Sequence, residues 1–134
     1  QVAYAADNYG ASVTYANLDT GTSMALNGYY TFEDSNLPSI SVGYELTEND
    51  GLTADQDQWF TGFQWDEVGP GSLGVAVGTA GPMNEGAEDL LGYEAFYAYP
   101  VNDGMTITPA VFLFENPAGA DDETGVVVKT SFSF

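Results

Sequence analysis

The sequence has 134 residues, 44% of them hydrophobic, and its one lysine faces 20 acidic residues, for a net charge of −19. This length fits at most one domain of ordinary size, and the scarcity of cations excludes nucleic acid as a partner, because phosphates need Lys and Arg. The absence of cysteine and histidine excludes disulfides, thiolate metal sites and histidine-dependent catalysis. No cofactor and no metal are expected.

Nine segments alternate between apolar side chains and small or polar ones, which is the pattern of β-strands. They cover residues 1–5, 9–17, 24–32, 38–47, 57–66, 72–79, 90–99, 105–114 and 126–134. No stretch shows a convincing helical period, and every connection is too short for a parallel crossover. The sequence therefore predicts an all-β antiparallel meander, with residues 1–134 as one domain.

The last predicted strand has one apolar face that becomes aromatic toward its end. This face carries Val126, Val128, Thr130, Phe132 and Phe134. The opposite face carries Val127, Lys129, Ser131 and Ser133. A transmembrane β-barrel has this pattern, with lipid on one face and an aqueous lumen on the other. The last strand of a soluble sandwich, with the phenylalanines in its core, fits this strand equally well.

The other strands favour the membrane barrel. Only Glu45 and Glu94 fall in the middle of predicted strands, and both lie on the small or polar face. The outer face of a soluble sandwich should carry Lys, Glu, Arg and Gln, whereas this face is mostly Gly, Ser, Ala and Thr. The apolar face has aromatic residues near strand ends, as in membrane girdles. They are Tyr9, Tyr15, Tyr30, Phe32, Trp59, Trp65, Tyr93, Tyr97, Tyr99, Phe132 and Phe134.

The predicted connections alternate in length when they are counted back from the C-terminus. The long ones are 115–124, 80–89 and 48–56, and the short ones are 100–104, 67–71 and 33–37. Only the turn 18–22 departs, because it is short where a long loop is expected. Outer-membrane barrels have short periplasmic turns and longer outer loops. The long connections and their edges hold most of the acids, which predicts an acidic outer mouth.

Two C-terminal motifs resemble the cyanobacterial OprB-type porins. Residues 92–117, which include Glu-Ala-Phe-Tyr-Ala-Tyr-Pro-Val-Asn-Asp-Gly-Met-Thr-Ile-Thr-Pro at 94–109 and end in Asn-Pro, are similar to the family's EAFYRY-x-VND-x-ITP-x-V-x-x-x-x-NP hairpin. Residues 129–134, Lys-Thr-Ser-Phe-Ser-Phe, are similar to its closing R-T-x-F-x-F strand. Further back, residues 71–78 resemble its Gly-Val-Ala-x-Gly hairpin. The resemblance is specific over about residues 59–134 and weaker over 1–58.

This resemblance implies the C-terminal part of a carbohydrate-selective porin of the outer membrane. Such porins resemble sixteen-stranded, trimeric pores that pass small hydrophilic solutes by diffusion and catalyse no reaction. The implied partners are outer-membrane lipid, two further copies of the protein and the solutes. The family tends to place arginine in the lumen where this chain has Ala98 and Ser133. The family's preference for sugars or anions is therefore not carried over to this chain.

Six residues on the small or polar face are candidates for lining a pore. They are Glu45, Glu94, Lys129, Phe112, Phe114 and Gln64. Lys129 is either a site for anions or a structural partner of one of the two glutamates. The two phenylalanines either stack on sugar rings or pack under a loop folded inward. Acids in the loops at 85–89 and 121–123 lack the spacing of a calcium loop, so they are interpreted as solvated charge.

Two other architectures remain open from the sequence. One is a complete eight-stranded barrel made of residues 9–134, and the other is a soluble acidic sandwich that binds carbohydrate through its aromatic residues. Nine strands are an odd number, so the first and last strands run in the same direction and cannot pair as antiparallel neighbours. The sequence therefore predicts an open curved wall, incomplete at its N-terminus, with a bare edge on each side.

Phe134 is predicted to act in assembly, because a terminal aromatic on the lipid face resembles the signal that the outer-membrane insertion machinery reads. Deleting Phe134 should lower the amount of inserted barrel severalfold, while the conductance of each assembled pore stays nearly unchanged. Quantitative blotting of membrane fractions, combined with single-channel recording, measures both quantities. Insertion of the deletion variant at the wild-type level would contradict this role.

Overall fold

The computed structural model describes residues 1–33, 36–51, 54–80, 83–84, 90–116 and 120–133, with the backbone alone described at 83–84. Within them lie ten strands: β1 (Val2–Ala5), β2 (Tyr9–Leu18), β3 (Gly21–Tyr30), β4 (Ser39–Asn49), β5 (Gln56–Val68), β6 (Gly71–Thr79), β7 (Met83–Asn84), β8 (Leu91–Asn102), β9 (Met105–Phe114) and β10 (Glu123–Phe132). None of the described residues forms a helix long and apolar enough to cross a membrane.

The strands form one antiparallel sheet in the order β1-β2-β3-β4-β5-β6-β8-β9-β10, and the two-residue β7 pairs with the start of β5. The predicted all-β meander is confirmed. The sheet is open, with β1 at one edge and β10 at the other. A closed eight-stranded barrel would need β2 to pair with β10. In the described residues β2 pairs instead with β1 and β3, so that alternative is wrong.

All nine predicted strands are present, and their boundaries differ by up to three residues, at the starts of β3 and β10 and at the end of β8. The prediction of 80–89 as a loop without a strand is wrong at β7. The connection between β3 and β4 also differs from its prediction. That connection runs from residue 31 to 38, longer than the short turn predicted at 33–37. Pro38 was predicted to begin a strand, but proline has no amide hydrogen to donate to the ladder, and β4 begins at Ser39. Phe32, predicted inside a strand, lies just beyond β3 and packs edge-on against Tyr30 at 4.8 Å between ring centroids.

The register keeps the two predicted faces continuous across the whole sheet, because directly paired residues lie on the same face. One row of paired residues, which defines the apolar face, is Tyr9, Tyr30, Ile40, Phe63, Val75, Ala95, Val111 and Val126. The adjacent row, which defines the polar face, is Gly10, Tyr29, Ser41, Gly62, Ala76, Glu94, Phe112 and Gly125.

The apolar face is open and no hydrophobic core lies beneath it. Among the described residues no hydrophobic side chain is buried, and Val126 is 70% exposed. The accessible surface is 9074 Å², whereas a compact protein of this mass would expose about 6,800 Å². A soluble sandwich would cover its apolar face with a second sheet. In the described part of the chain there is a single layer, so the sandwich alternative is wrong.

Five aromatic rings of the polar face each lie across a glycine of the neighbouring strand. The pairs are Tyr29 over Gly10, Phe60 over Gly43, Phe96 over Gly74, Phe114 over Gly92 and Phe112 over Gly125. A methyl group at Gly92 would come within 2.7 Å of the Phe114 ring, and one at Gly43 would overlap Phe60. Each ring fills the space that its glycine leaves empty, so the rings lie along the wall and do not stand out from it.

Two of the long connections are closed by the same pair of hydrogen bonds. At the base of the β4–β5 loop, the Asn49 amide donates to Asp55 Oδ1 (2.9 Å) and Asn49 Nδ2 donates to the Ala54 carbonyl (2.8 Å). At the base of the β9–β10 loop, the Asn116 amide donates to Asp122 Oδ1 (3.3 Å) and Asn116 Nδ2 donates to the Asp121 carbonyl (2.7 Å). We call this arrangement the Asn–Asp clasp.

The contact between Phe60 and Gly43 should be measurable as stability. Gly43→Ala should lower the free energy of unfolding by about 1–3 kcal/mol, because the added methyl displaces the ring. The matched control is Gly28→Ala on the apolar face, where a methyl would meet only ordinary contacts at 3.5 and 4.0 Å. Urea unfolding in detergent measures both, and a Phe60→Leu background should reduce the cost at Gly43. Equal costs at both glycines would contradict the overlap.

Removing one clasp should loosen one loop. Asn49→Ala deletes the side-chain hydrogen bond to Ala54, worth about 1 kcal/mol, so the base of the β4–β5 loop should open roughly fivefold more often. Cleavage by a protease specific for acidic residues measures this opening, and the intact β9–β10 loop is the internal control. Asn116→Ala should give the reciprocal result. Equal acceleration at both loops in either variant would show global loosening and not a local clasp.

Candidate pore-lining surface

All six candidate pore-lining residues lie on the polar face. Glu45 pairs with Ala25 and Gln58, and Glu94 pairs with Ala76 and Phe112. Gln64 pairs with Ser39 and Gly74, while Lys129 pairs with Thr108. Phe112 and Phe114 belong to the ring-over-glycine pairs on the same face. That these residues line a pore stays a prediction, and the sheet places all six on one face.

Glu45 has the most developed surroundings of the six. Its carboxylate lies between two neighbouring strands, and each oxygen accepts one hydrogen bond. Ser23 Oγ on β3 donates to Oε1 at 2.9 Å, and Gln58 Nε2 on β5 donates to Oε2 at 3.1 Å. Both bonds are partly buried. Two donors from opposite sides fix the plane of the carboxylate, and each oxygen keeps a further lone pair for a ligand.

A cavity of about 300 Å³ opens beside this carboxylate. Its polar lining comes from Asn27, Glu45, Gln58 and Thr79, and the Phe60 ring forms an apolar side. Gly43 forms part of the lining, where a side chain would meet both the Phe60 ring and Asn27 Oδ1 at 2.8 Å. The glycine therefore keeps the depression open, and Asn27 and Glu45 line it together.

Glu94 and Lys129 are not brought together. Lys129 lies on β10, two strands away from Glu94 on β8. The residue of β10 in the same row as Glu94 is Gly125, and Lys129 lies four residues further along the strand. That offset is about 13 Å along the strand in addition to the two strand spacings. Glu94 and Lys129 are both exposed. The structure gives Glu45 the partners Ser23 and Gln58, so the predicted pairing of Lys129 with a glutamate finds no support in these contacts.

The remaining polar-face candidates form local contacts. Gln64 Nε2 donates to Asp66 Oδ1 at 2.7 Å on the same strand. The Phe112 and Phe114 rings lie 5.3 Å apart at 38°, each over its own glycine. Phe114 is 40% exposed, and Phe112 is half-buried. Asp121, Asp122 and Glu123 belong to no group of three or more potential metal ligands among the described residues. Glu85, Glu88 and Asp89 lie outside the described part.

Six of the predicted girdle residues lie on the apolar face in two belts. Within one strand the belts are six residues apart, as Tyr9 and Tyr15, Trp59 and Trp65, and Tyr93 and Tyr99. That spacing is about 20 Å along the strand, shorter than the apolar band of about 25 Å in membrane barrels. Tyr97 donates its hydroxyl to the Val68 carbonyl at 2.7 Å, which anchors the β5–β6 turn. Phe132 is 62% exposed, and Phe134 lies outside the described residues.

Both belts are inclined to the rows of paired residues. Tyr9 on β2 shares its row with Phe63 on β5 and Ala95 on β8, whereas the belt residues there are Trp65 and Tyr99. Relative to the row of paired residues, the belt is therefore displaced by two residues at β5, three strands from β2. At β8, five strands from β2, it is displaced by four residues. A shift of about 0.7–0.8 residue per strand corresponds to strands tilted by about 30° from the normal of the belt, near the tilt of barrel strands.

Residues 71–134 match the sequence model of the carbohydrate-selective porin, OprB family. The family resemblance predicted from the sequence is confirmed for this segment, which runs from β6 to the end of the chain. Neither the curated proteins nor the solved structures give a match to this chain. The OprB segment contains Glu94, Lys129 and three of the five ring-over-glycine pairs. Glu45 and its partners precede it.

Sequence reasoning found Glu45 but missed the residues that hold it. Ser23 and Gln58 lie 22 and 13 residues away in the chain, and their contact with Glu45 depends on the register of two ladders. The Asn–Asp clasp was missed as well, although it leaves a signal. The spacing Asn-x5-Asp occurs at Asn49 and Asp55 and again at Asn116 and Asp122, each time at a predicted long loop.

Proposed function

We propose that this sheet forms part of the wall of an outer-membrane porin, a passive diffusion channel for small hydrophilic solutes. The observation that carries the proposal is the continuous, exposed apolar face, which lies back to back with a polar face throughout the sheet. The OprB match over residues 71–134 suggests a porin independently. Family membership of this kind implies a channel that catalyses no reaction.

The apolar face must be shielded from water, and its apolar centre with aromatic margins fits contact with lipid. Soluble monomers seldom expose a contiguous apolar patch above a few hundred Å². Here exposed apolar residues run from Val13 on β2 to Val128 on β10, at 45% and 62% exposure. Two inclined aromatic belts bound this surface at the strand ends, as the interfaces of a bilayer require.

The strand lengths fit a bilayer as well. Apart from β1 and β7, the strands are 9 to 13 residues long. A tilted membrane strand needs about 9–11 residues to cross the hydrocarbon core. The two-residue turns after β5 and β8 lie at one end of the sheet, and the longer loops after β4, β6 and β9 lie at the other. Two connections depart from this pattern: the β3–β4 connection at 31–38 lies at the end of the short turns, and the two-residue β2–β3 turn lies at the end of the longer loops. We assign the longer loops to the cell exterior.

The two open edges require partners, because exposed ladders of amides and carbonyls are not stable in lipid. We propose that further antiparallel strands close the wall into a barrel. Since β1 and β10 run in the same direction, an odd number of strands must lie between them. The assembled protein forms trimers, as the resemblance implies, and its solutes pass along the polar face.

A pair of neighbouring substitutions tests which face meets lipid. Val42→Lys places a charge on the apolar face, where lipid would penalise it by about 2–4 kcal/mol, so the inserted fraction should fall at least about tenfold. Ser41→Lys, one residue earlier, places the same charge on the polar face and should insert normally. Quantitative blotting of outer-membrane fractions measures insertion.

Planar bilayer recordings supply the functional readout for the same proteins. The wild type and Ser41→Lys should give discrete conductance steps, whereas Val42→Lys should give few. A wild-type protein that stays in solution without detergent and gives no conductance steps would refute the proposed porin function. Equal insertion of both lysine variants would show that the apolar face does not meet lipid.

A further inference from the structure

We propose that Glu45 is the centre of a cation subsite in the pore wall, where one small monovalent cation, alkali or ammonium, binds weakly during passage. This inference rests on the proposed porin function. It deepens that function by assigning one place on the wall and one class of solute. The subsite consists of Glu45 with Ser23 and Gln58 as positioning residues, and Asn27 as a further oxygen ligand.

The geometry of the carboxylate points to a built site. A glutamate on an open wall would sample many rotamers, but Glu45 is held from both sides by Ser23 Oγ and Gln58 Nε2. Its remaining lone pairs have room beside the 300 Å³ cavity that Asn27, Gly43 and Phe60 help to line. Carboxylate and carboxamide oxygens together are the ligands that hard cations prefer.

The charge of Glu45 has no fixed counter-charge nearby. Lys129 is the one basic side chain in the sequence, and it lies five strands away on β10. That separation is about 24 Å along the sheet, several times the Debye length of about 8 Å at physiological ionic strength. Within this sheet, a mobile cation is therefore the counter-charge that can reach Glu45.

Binding must also be weak for conduction to continue. A single carboxylate on a wall open to water meets this condition, because ion pairs that water can reach are weak. Phe60 lies flat over Gly43 and does not block the approach. The subsite therefore concentrates cations at one point of the wall without trapping them.

The test uses single-channel recording of the complete protein in planar bilayers, with KCl from about 0.01 to 1 M, a range that spans the Debye lengths over which such a charge acts. Wild-type conductance should saturate, and the reversal potential in a KCl gradient should show cation preference. Glu45→Gln should raise the half-saturating KCl concentration roughly two- to fivefold, the factor that one exposed charge pair supplies. It should also reduce the cation preference.

Glu94→Gln is the matched control, since it removes one carboxylate from the same face. Glu94 lies exposed between Ala76 and Phe112, and it borders a separate depression of about 350 Å³ and not the cavity beside Glu45. Its neutralisation should shift the half-saturating concentration by clearly less than Glu45→Gln does. Equal shifts would mean that diffuse charge, and not a subsite, attracts the cations, and would overturn the proposal.

Gln58→Ala tests the positioning role, because it keeps the charge and removes one donor. The half-saturating concentration should rise, while conductance at saturating KCl stays the same. Gln64→Ala lies on the same strand and face, and its amide donates to Asp66. It should cause a smaller rise. Changes of equal size in the two variants would overturn the role of Gln58.

Three further outcomes separate this inference from the porin itself. Wild-type conductance that rises in proportion to KCl would overturn the subsite and leave the porin standing. No conductance in the wild type would refute both. A neutral sugar that blocks current in the wild type but not in Glu45→Gln would assign the cavity to sugars and overturn the cation subsite.

Discussion

The hydrogen-bond register is the constraint on which the rest of this structure depends. Side chains in a strand alternate with a period of two, so a slip by one residue would move an entire strand to the wrong face. Successive ladders from β2 to β10 stay in phase over their central residues. Shifts occur only between Trp65 and Val68 and between Pro100 and Asn102, beside the short turns. There the extra residue changes the pairing of the last residues before the turn and leaves the central rows in phase.

The glycines of the polar face follow from that register. A glycine in a strand normally weakens it, because the residue offers no side chain to pack. Here the missing side chain is replaced by a ring from the next strand, as Phe60 does at Gly43 and Phe96 at Gly74. The same arrangement explains why the large aromatic rings of the polar face lie flat against the sheet. It also leaves space beside Glu45 for Asn27 and Gln58 to approach.

Much of the fold could be predicted from the sequence, because alternation along a strand is a local property. The nine strands and both faces were predicted in this way. The end of the β3–β4 connection was harder to predict from the sequence, because Pro38 directly precedes an ordinary strand pattern and was counted as part of that strand. Contacts between strands were not accessible. Whether Gln58 or another polar residue meets Glu45 depends on how residues 13 positions apart align, and alternation alone does not fix that alignment.

The meander order affects how such a wall can assemble. Each long strand pairs with the strand that follows it in the chain, apart from the small detour through β7. The entropy lost on closing each connection is therefore modest, since it grows only slowly with loop length and most connections are short. Growth can proceed one hairpin at a time, and each new strand covers the edge left by the last. At every stage the growing sheet has two edge strands with unpaired backbone groups, and a chaperone would need to cover only those two strands.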